Sequence, residues 1–288
     1  MSDSLTLTRF QVHNSTAELI VGDLRFPAGV EKPLPVVMIC HSFMAFKDWG
    51  WFPFVAESIA RAGFATLIFN FSRNGVRENP NRMTDFEAFE KNTISHELHD
   101  VESVLEAIQR KNIGEGVIDP ASIAFLGHSR GGGLAILTAS TMQYVKALVT
   151  WSSVATFDRW TVHQKAEWRR LGFLPLSKGT SVSPLRLGTN LLDDVEKNRE
   201  RLNPVRAAGS VRIPWLLLHG KEDLAVRFSE AEQLYAVSQK ATTTFVPLEK
   251  VGHLFGGAEV TEESSIHHAL KVTIDWLRSH FKELSMRG

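Results

Sequence analysis

The 288-residue sequence has a single cysteine, Cys40, so no internal disulfide can hold it together. Cys40 ends the apolar run 36–40, where a cysteine reads as plain core, and a reducing compartment fits. There is no excess of charge: lysine plus arginine total 32, as do aspartate plus glutamate. No global positive field therefore exists to hold a phosphate backbone or an anionic bilayer, which argues against nucleic-acid and membrane partners. No stretch approaches about 18 consecutive apolar residues, and positions 1–10 carry neither a basic segment nor a long apolar one. The expected setting is soluble and cytoplasmic. Internal repeats, low-complexity tracts and heptads are also missing.

What is present is the balance of an ordinary folded domain, with 43% apolar and 22% charged residues. The length suits one large domain or two modest ones, and a single domain over 1–288 is expected. Apolar runs at 36–40, 66–71, 123–126, 147–150, 215–219 and 243–246 read as core strands. Upstream, 5–13 and 18–25 read as an antiparallel pair, the second bounded by Pro27 and Gly29. Between the runs lie amphipathic helices. Leu98, Val101, Leu105 and Ile108 share one face, and Ile266, Leu270, Ile274, Leu277, Phe281 and Leu284 repeat at three- or four-residue spacing. Pro53 and Gly63 bracket a helix over 54–62. This alternation predicts an α/β architecture: a mostly parallel central sheet with helices on both faces.

Two connections are long. Residues 72–95 carry Asn74, Gly75 and Pro80, and residues 152–212 separate two strands. Long connections of this kind are often functional. The second holds Phe157, Trp160, Trp168 and Phe173 among Arg159, Lys165, Arg169 and Arg170, followed by a helix expected over 190–202. It reads as an inserted helical cap over a site, with Trp160, Trp168 and Phe173 as candidate substrate-binding residues. The cap's basic residues are followed by Asp193, Asp194, Glu196 and Glu200, which favours a solvated helix surface over an anion site.

The strongest chemical signal is Gly127-His128-Ser129-Arg130-Gly131, a G-x-S-x-G. A strand at 123–126 runs directly into it, and Gly131-Gly132-Gly133 opens a helix over 134–140. That setting forces a serine into strained geometry at an abrupt strand-to-helix turn, with small neighbours allowing close approach. A serine hydroxyl is a weak nucleophile, so it needs a histidine to take its proton and a carboxylate to orient that histidine. Asp223 follows the strand at 215–219 within His219-Gly220-Lys221-Glu222-Asp223, with Glu222 as the competing carboxylate. His253 sits between glycines in the loop before the last helix. The order Ser129, Asp223, His253 is the one this turn motif requires.

Acyl transfer also needs donors for the carbonyl oxyanion. The Arg130 backbone N–H, directly after the nucleophile, supplies one. The other is assigned to the Phe43 backbone N–H in the loop His41-Ser42-Phe43-Met44, with Ser42 as the alternative.

On His41-Ser42-Phe43, Gly127 to Gly132, His219-Gly220 with Asp223, and Gly252-His253, the chain resembles the alpha/beta-hydrolase superfamily from Pro35 to the last helix. It is similar to small bacterial esterases of the cinnamoyl-esterase and dienelactone-hydrolase-like branch. The resemblance implies an alpha/beta-hydrolase fold and a serine carboxylesterase that cleaves small acyl or aromatic esters without metal or cofactor. Such enzymes usually carry glycine where Ser42 stands, which implies a reshaped oxyanion loop or an added hydroxyl. A same-fold peptidase, thioesterase or carbon–carbon hydrolase stays open, as does a non-catalytic ligand receptor.

Other histidines have plainer readings. His96 and His99 lie three apart on a helix and lack the distant ligands a zinc site needs. His267 and His268 diverge and read as solvated. His41 and His219, at strand ends, either support the site or make structural hydrogen bonds.

Overall fold

The computed structural model describes residues 4–77, 82–176 and 185–287. Pro80, residues 177–184 of the long insertion and the side chain of Leu284 lie outside that description. The chain opens with strands β1 (Leu5–His13), β2 (Leu19–Pro27) and β3 (Leu34–Cys40), then helix α1 (Phe52–Arg61) and β4 (Ala65–Asn70). Helices α2 (Phe86–Glu90) and α3 (Ile94–Gln109) lead to β5 (Ile118–His128), α4 (Arg130–Ala139) and β6 (Val145–Trp151). The insertion then contributes α5 (Val162–Leu171), a short hairpin of β7 (Phe173–Pro175) and β8 (Arg186–Gly188), α6 (Thr189–Lys197) and α7 (Pro204–Ala208). The chain closes with β9 (Trp215–Gly220), α8 (Phe228–Val237), β10 (Thr243–Leu248) and α9 (Ile266–Arg287).

Among the described residues one eight-stranded sheet runs β1-β2-β4-β3-β5-β6-β9-β10. From β4 to β10 every neighbouring pair is parallel; β1 and β2 form an antiparallel hairpin whose inner strand joins the edge of β4. Both faces of the parallel strands must therefore be covered, which is why β3 and β4 read as continuous apolar runs rather than alternating ones. Side chains of α3, α4 and α8 pack on one face with Met38, Phe69 and Phe125. The other face receives α1 and α9, where Phe52, Ile59, Leu270 and Leu277 meet Ile39, Ile68 and Leu126. This is the expected layered α/β architecture, with its carboxyl-terminal strand ends free to host a site.

Local signals set the helix boundaries. Thr93 caps α3 by accepting from the His96 N–H at 3.1 Å, and Thr161 with Gln164 forms a reciprocal capping box on α5. The helix expected over 190–202 is shorter. It ends at Lys197, and a separate helix begins at Pro204, where the Asn203 side chain accepts from the Arg206 N–H at 3.0 Å. Proline lacks the N–H to continue a helix but suits a first turn, so the asparagine-proline pair restarts the chain.

Helix α3 is tied down near His96 and His99 by a buried acid. Asp100 is buried, accepting from the Asn14 side chain at 2.8 Å and the Ser72 N–H at 2.7 Å. It ties the β1–β2 turn to the loop after β4, and burial pushes its carboxyl up to about 6 against those hydrogen bonds. His96 instead contacts the Thr93 hydroxyl at 2.7 Å, and His99 the Ser15 hydroxyl at 2.7 Å.

Candidate active site

Ser129 follows β5 and precedes α4 with φ 57° and ψ −118°, a strained conformation for a residue bearing a side chain. The backbone holds it there. Its N–H donates to the Trp151 carbonyl at 3.0 Å, and its carbonyl accepts from Gly132 at 3.0 Å and Val154 at 3.2 Å. The flanking glycines are obligatory because a Cβ on Gly127 would lie 2.4 Å from the Gly131 carbonyl oxygen. One on Gly131 would lie 2.2 Å from that of Cys40. The strained turn pushes the hydroxyl past the strand ends and aims the amino-terminal dipole of α4 at the same point.

Strands β9 and β10 deliver the partners. After β10, His253 turns Nε2 to the Ser129 hydroxyl at 3.0 Å and Nδ1 to the Asp223 Oδ2 at 2.7 Å. With Nδ1–H donating to the carboxylate, Nε2 keeps a lone pair facing the serine hydroxyl. After β9, Asp223 Oδ1 accepts from the Ala225 and Val226 N–H groups at 2.9 and 2.8 Å, which fixes the direction of Oδ2. Burial alone would raise this carboxyl. The His219 contact at 3.5 Å, the His253 hydrogen bond and the Val226 N–H together outweigh it and hold the group well below the usual carboxylate range. Glu222, the competing carboxylate, is exposed, and its N–H donates to the Val251 carbonyl at 3.0 Å.

Three buried histidines surround the relay. His128 Nε2–H donates to the His253 carbonyl at 3.0 Å, His219 Nε2–H to the Val226 carbonyl at 2.8 Å, and His41 Nδ1–H to the Ser42 carbonyl at 3.0 Å. The second ring nitrogen of each is enclosed without a partner among the described residues, which suits a neutral ring. Burial pushes His41 down to about 4 and His128 to about 3. His41 and His219 thus brace the two loops that line the site. His128 was not singled out by its sequence position, although the residue that ends β5 directly before Ser129 must lie beneath the site.

The loop after β3 turns at Phe43 and Met44, the latter with φ 59°, and the Ala45 N–H closes the turn on the Ser42 carbonyl at 3.2 Å. Neither the Phe43 nor the Arg130 backbone N–H has an acceptor among the described residues. Ser42 lines the cavity together with both. The Arg130 side chain is also engaged. Its Cζ lies 3.9 Å above the Phe43 ring, and Nη1 donates to Glu97 Oε1 at 3.2 Å. Burial raises the Glu97 carboxyl, opposed by Arg130 and by the Asn92 side chain, which donates at 2.7 Å. Glu97 could have been found from sequence: it is an acid on the apolar stripe of α3, three residues after Ile94 and four before Val101.

A cavity of about 700 Å³ opens above Ser129 and His253, walled in part by Phe157, Trp160, Leu176 and Leu187 of the insertion. Of the three aromatic residues expected to line it, only Trp160 does. Trp168 is wholly buried, donating its ring N–H to the Leu187 carbonyl at 2.9 Å and packing edge-on against Trp160 at 4.9 Å. Phe173 sits in the β7–β8 hairpin under the Arg186 guanidinium, away from the cavity wall. Trp168 is corrected to internal packing of the insertion, whose small helices must bury their own large rings, and Phe173, half-buried, to a contact with Arg186 in the hairpin.

The model of the prolyl oligopeptidase family matches residues 52–284. The chain belongs to the prolyl oligopeptidase family. This family assignment fits a hydrolase with the alpha/beta-hydrolase fold. Among solved structures it is similar to the esterase domain of a Rhodothermus marinus protein, with TM-score 0.64 and 19% identity over 96% of this chain and 99% of the other. It is also similar to Est1E from Butyrivibrio proteoclasticus, with TM-score 0.67 and 16% identity over 95% and 99%. For the alpha/beta hydrolase GrgF from Penicillium sp. sh18 the values are 0.71 and 14% over 96% and 99%. No curated protein sequence matches the chain. Among the described residues no helix is long and apolar enough to cross a membrane.

Proposed function

We propose that this prolyl oligopeptidase family member is a serine esterase that cleaves small acyl or aromatic carboxylic esters through an acyl-enzyme. The carrying observation is the pair of contacts at His253: 3.0 Å to the Ser129 hydroxyl and 2.7 Å to Asp223. In this reading Ser129 attacks the ester carbonyl while His253 Nε2 takes its proton, and Asp223 holds the resulting imidazolium. The oxyanion is received by the backbone N–H groups of Phe43 and Arg130. His253 then protonates the departing alcohol, and water repeats the sequence to release the acid. Residues 152–212 are read as the cap over the bound ester, with Trp160 as its aromatic contact.

The esterase reading draws support from the esterase domain among the similar structures and from the mostly apolar cavity wall. The family's name favours a second reading, a peptidase using the same residues. A panel of p-nitrophenyl esters, acyl thioesters and aminoacyl anilides separates them. Esters should be turned over fastest, and Ser129→Ala should lower kcat by about 10³-fold or more without loss of fold. An unchanged rate would refute Ser129 as the nucleophile, whereas no labelling of Ser129 by a fluorophosphonate in folded protein would favour a non-catalytic ligand receptor.

A further inference from the structure

Two arginines, Arg130 and Arg159, belong to the wall of the cavity above Ser129, and among the described residues that wall contains no aspartate or glutamate. Their acidic partners stand behind them. Glu97 meets Arg130 from α3, and Glu230 meets Arg159 from α8, with Arg159 Nη1 donating to both Glu230 oxygens at 2.8 Å. Each pair therefore turns its positive end to the cavity and its negative end to the protein. The pairing of Arg130 is also incomplete. Only Nη1 donates to an acceptor among the described residues, while Nε and Nη2 do not and are not sealed into the core.

A buried, ordered guanidinium with unused N–H groups is an expensive feature in a mostly apolar wall. Here it is fixed by the Phe43 ring below and Glu97 beside it, so little side-chain freedom remains to be lost when a ligand arrives. Arg159 is similarly held: Nη2 donates to the Ala225 carbonyl at 2.8 Å, and Glu230 is anchored by the Ala155 N–H at 2.9 Å. By contrast, Lys165, Arg169 and Arg170 pair with Asp158, Asp193, Glu196 and Glu167 on the outside of the insertion, so no field from them is needed. Planar N–H donors set rigidly in an otherwise apolar site match a carboxylate.

We propose that the ester cleaved at this site carries a carboxylate, recognised by Arg130 and Arg159. The inference rests on the hydrolase reading of the same cavity and names its substrate class. The carboxylate can belong to the acyl group, as in a half-ester of a dicarboxylic acid, or to the alcohol, as in an acylated hydroxybenzoate.

Two ester pairs test it and distinguish those sources. Mono-4-nitrophenyl glutarate is compared with its methyl-capped diester, and 4-acetoxybenzoate with its methyl ester. The free acid of at least one pair should be hydrolysed with kcat/KM roughly tenfold or more above its capped partner. Arg130→Met and Arg159→Met should reduce that ratio, and Arg130→Lys should retain part of it. Equal kcat/KM within both pairs, or a ratio unchanged in both methionine variants, overturns the proposal. Titration of Ser129→Ala protein with each pair reads recognition without turnover. Tighter binding of the free acid supports the carboxylate site even if the wild type hydrolyses neither ester, and equal binding overturns it even if both are hydrolysed.

Discussion

His128 Nε2 donates to the main-chain carbonyl of His253 at 3.0 Å, and the two rings lie 4.7 Å apart. The residue before the strained serine thus grips the loop that carries His253. Ser129 and His253 are 124 positions apart in sequence, and this bond joins the two turns directly beneath the reacting atoms.

Replacing His128 by phenylalanine keeps a ring but deletes the donor. Displacement of His253 by a fraction of an ångström should lower kcat about 10- to 100-fold. The stability loss should be about 1 kcal/mol. Steady-state kinetics beside chemical denaturation checks both, and an undiminished kcat would show that His253 holds its place without the bond.

Gly131→Ala places a Cβ against the Cys40 and His41 carbonyls, which belong to backbone that cannot swing away. It should destabilise the fold by about 3 kcal/mol or more. Gly209 is the control: its φ is −64°, and a Cβ there would come no closer than 3.4 Å to its nearest neighbour, the Arg206 carbonyl oxygen. Alanine there should change stability by less than about 1 kcal/mol in denaturant titrations.

The neighbouring rings Trp160 and Trp168 should respond oppositely. Trp160→Ala removes cavity wall and should raise KM roughly tenfold. Trp168→Phe removes a buried donor and some volume; it should lower stability by about 1 to 3 kcal/mol with kcat/KM within about threefold of wild type. Denaturation curves and ester kinetics on the two variants separate these effects.

Acid should weaken the fold through the buried histidines. His41 and His128 are depressed to about 4 and about 3, so the unfolded chain binds more protons than the native one as pH falls below the ordinary histidine value. Each removes about 1.4 kcal/mol of stability per pH unit across its window, which runs from about 6.5 down to the folded value. Asp100, raised to about 6, works in the opposite direction, because the native state takes up its proton first. The loss of stability between pH 7 and 5 should therefore be smaller in His128→Gln, and larger in Asp100→Asn, than in wild type. Denaturant titrations at both pH values measure it.

The sequence by itself determined the strand-helix alternation, the glycine-flanked turn at Ser129, and the order in which serine, carboxylate and histidine appear. These are local matters: apolar runs, backbone strain and turn chemistry act over a few residues. Only the tertiary structure decided that Trp160, just before α5, faces the cavity while Trp168, within that helix, is internal, since nothing in the local pattern separates two tryptophans in one short stretch. It likewise brought Glu97 to Arg130 and His128 to the His253 loop. Those contacts depend on which strands lie side by side in the sheet, and a parallel sheet joins elements that are far apart along the chain.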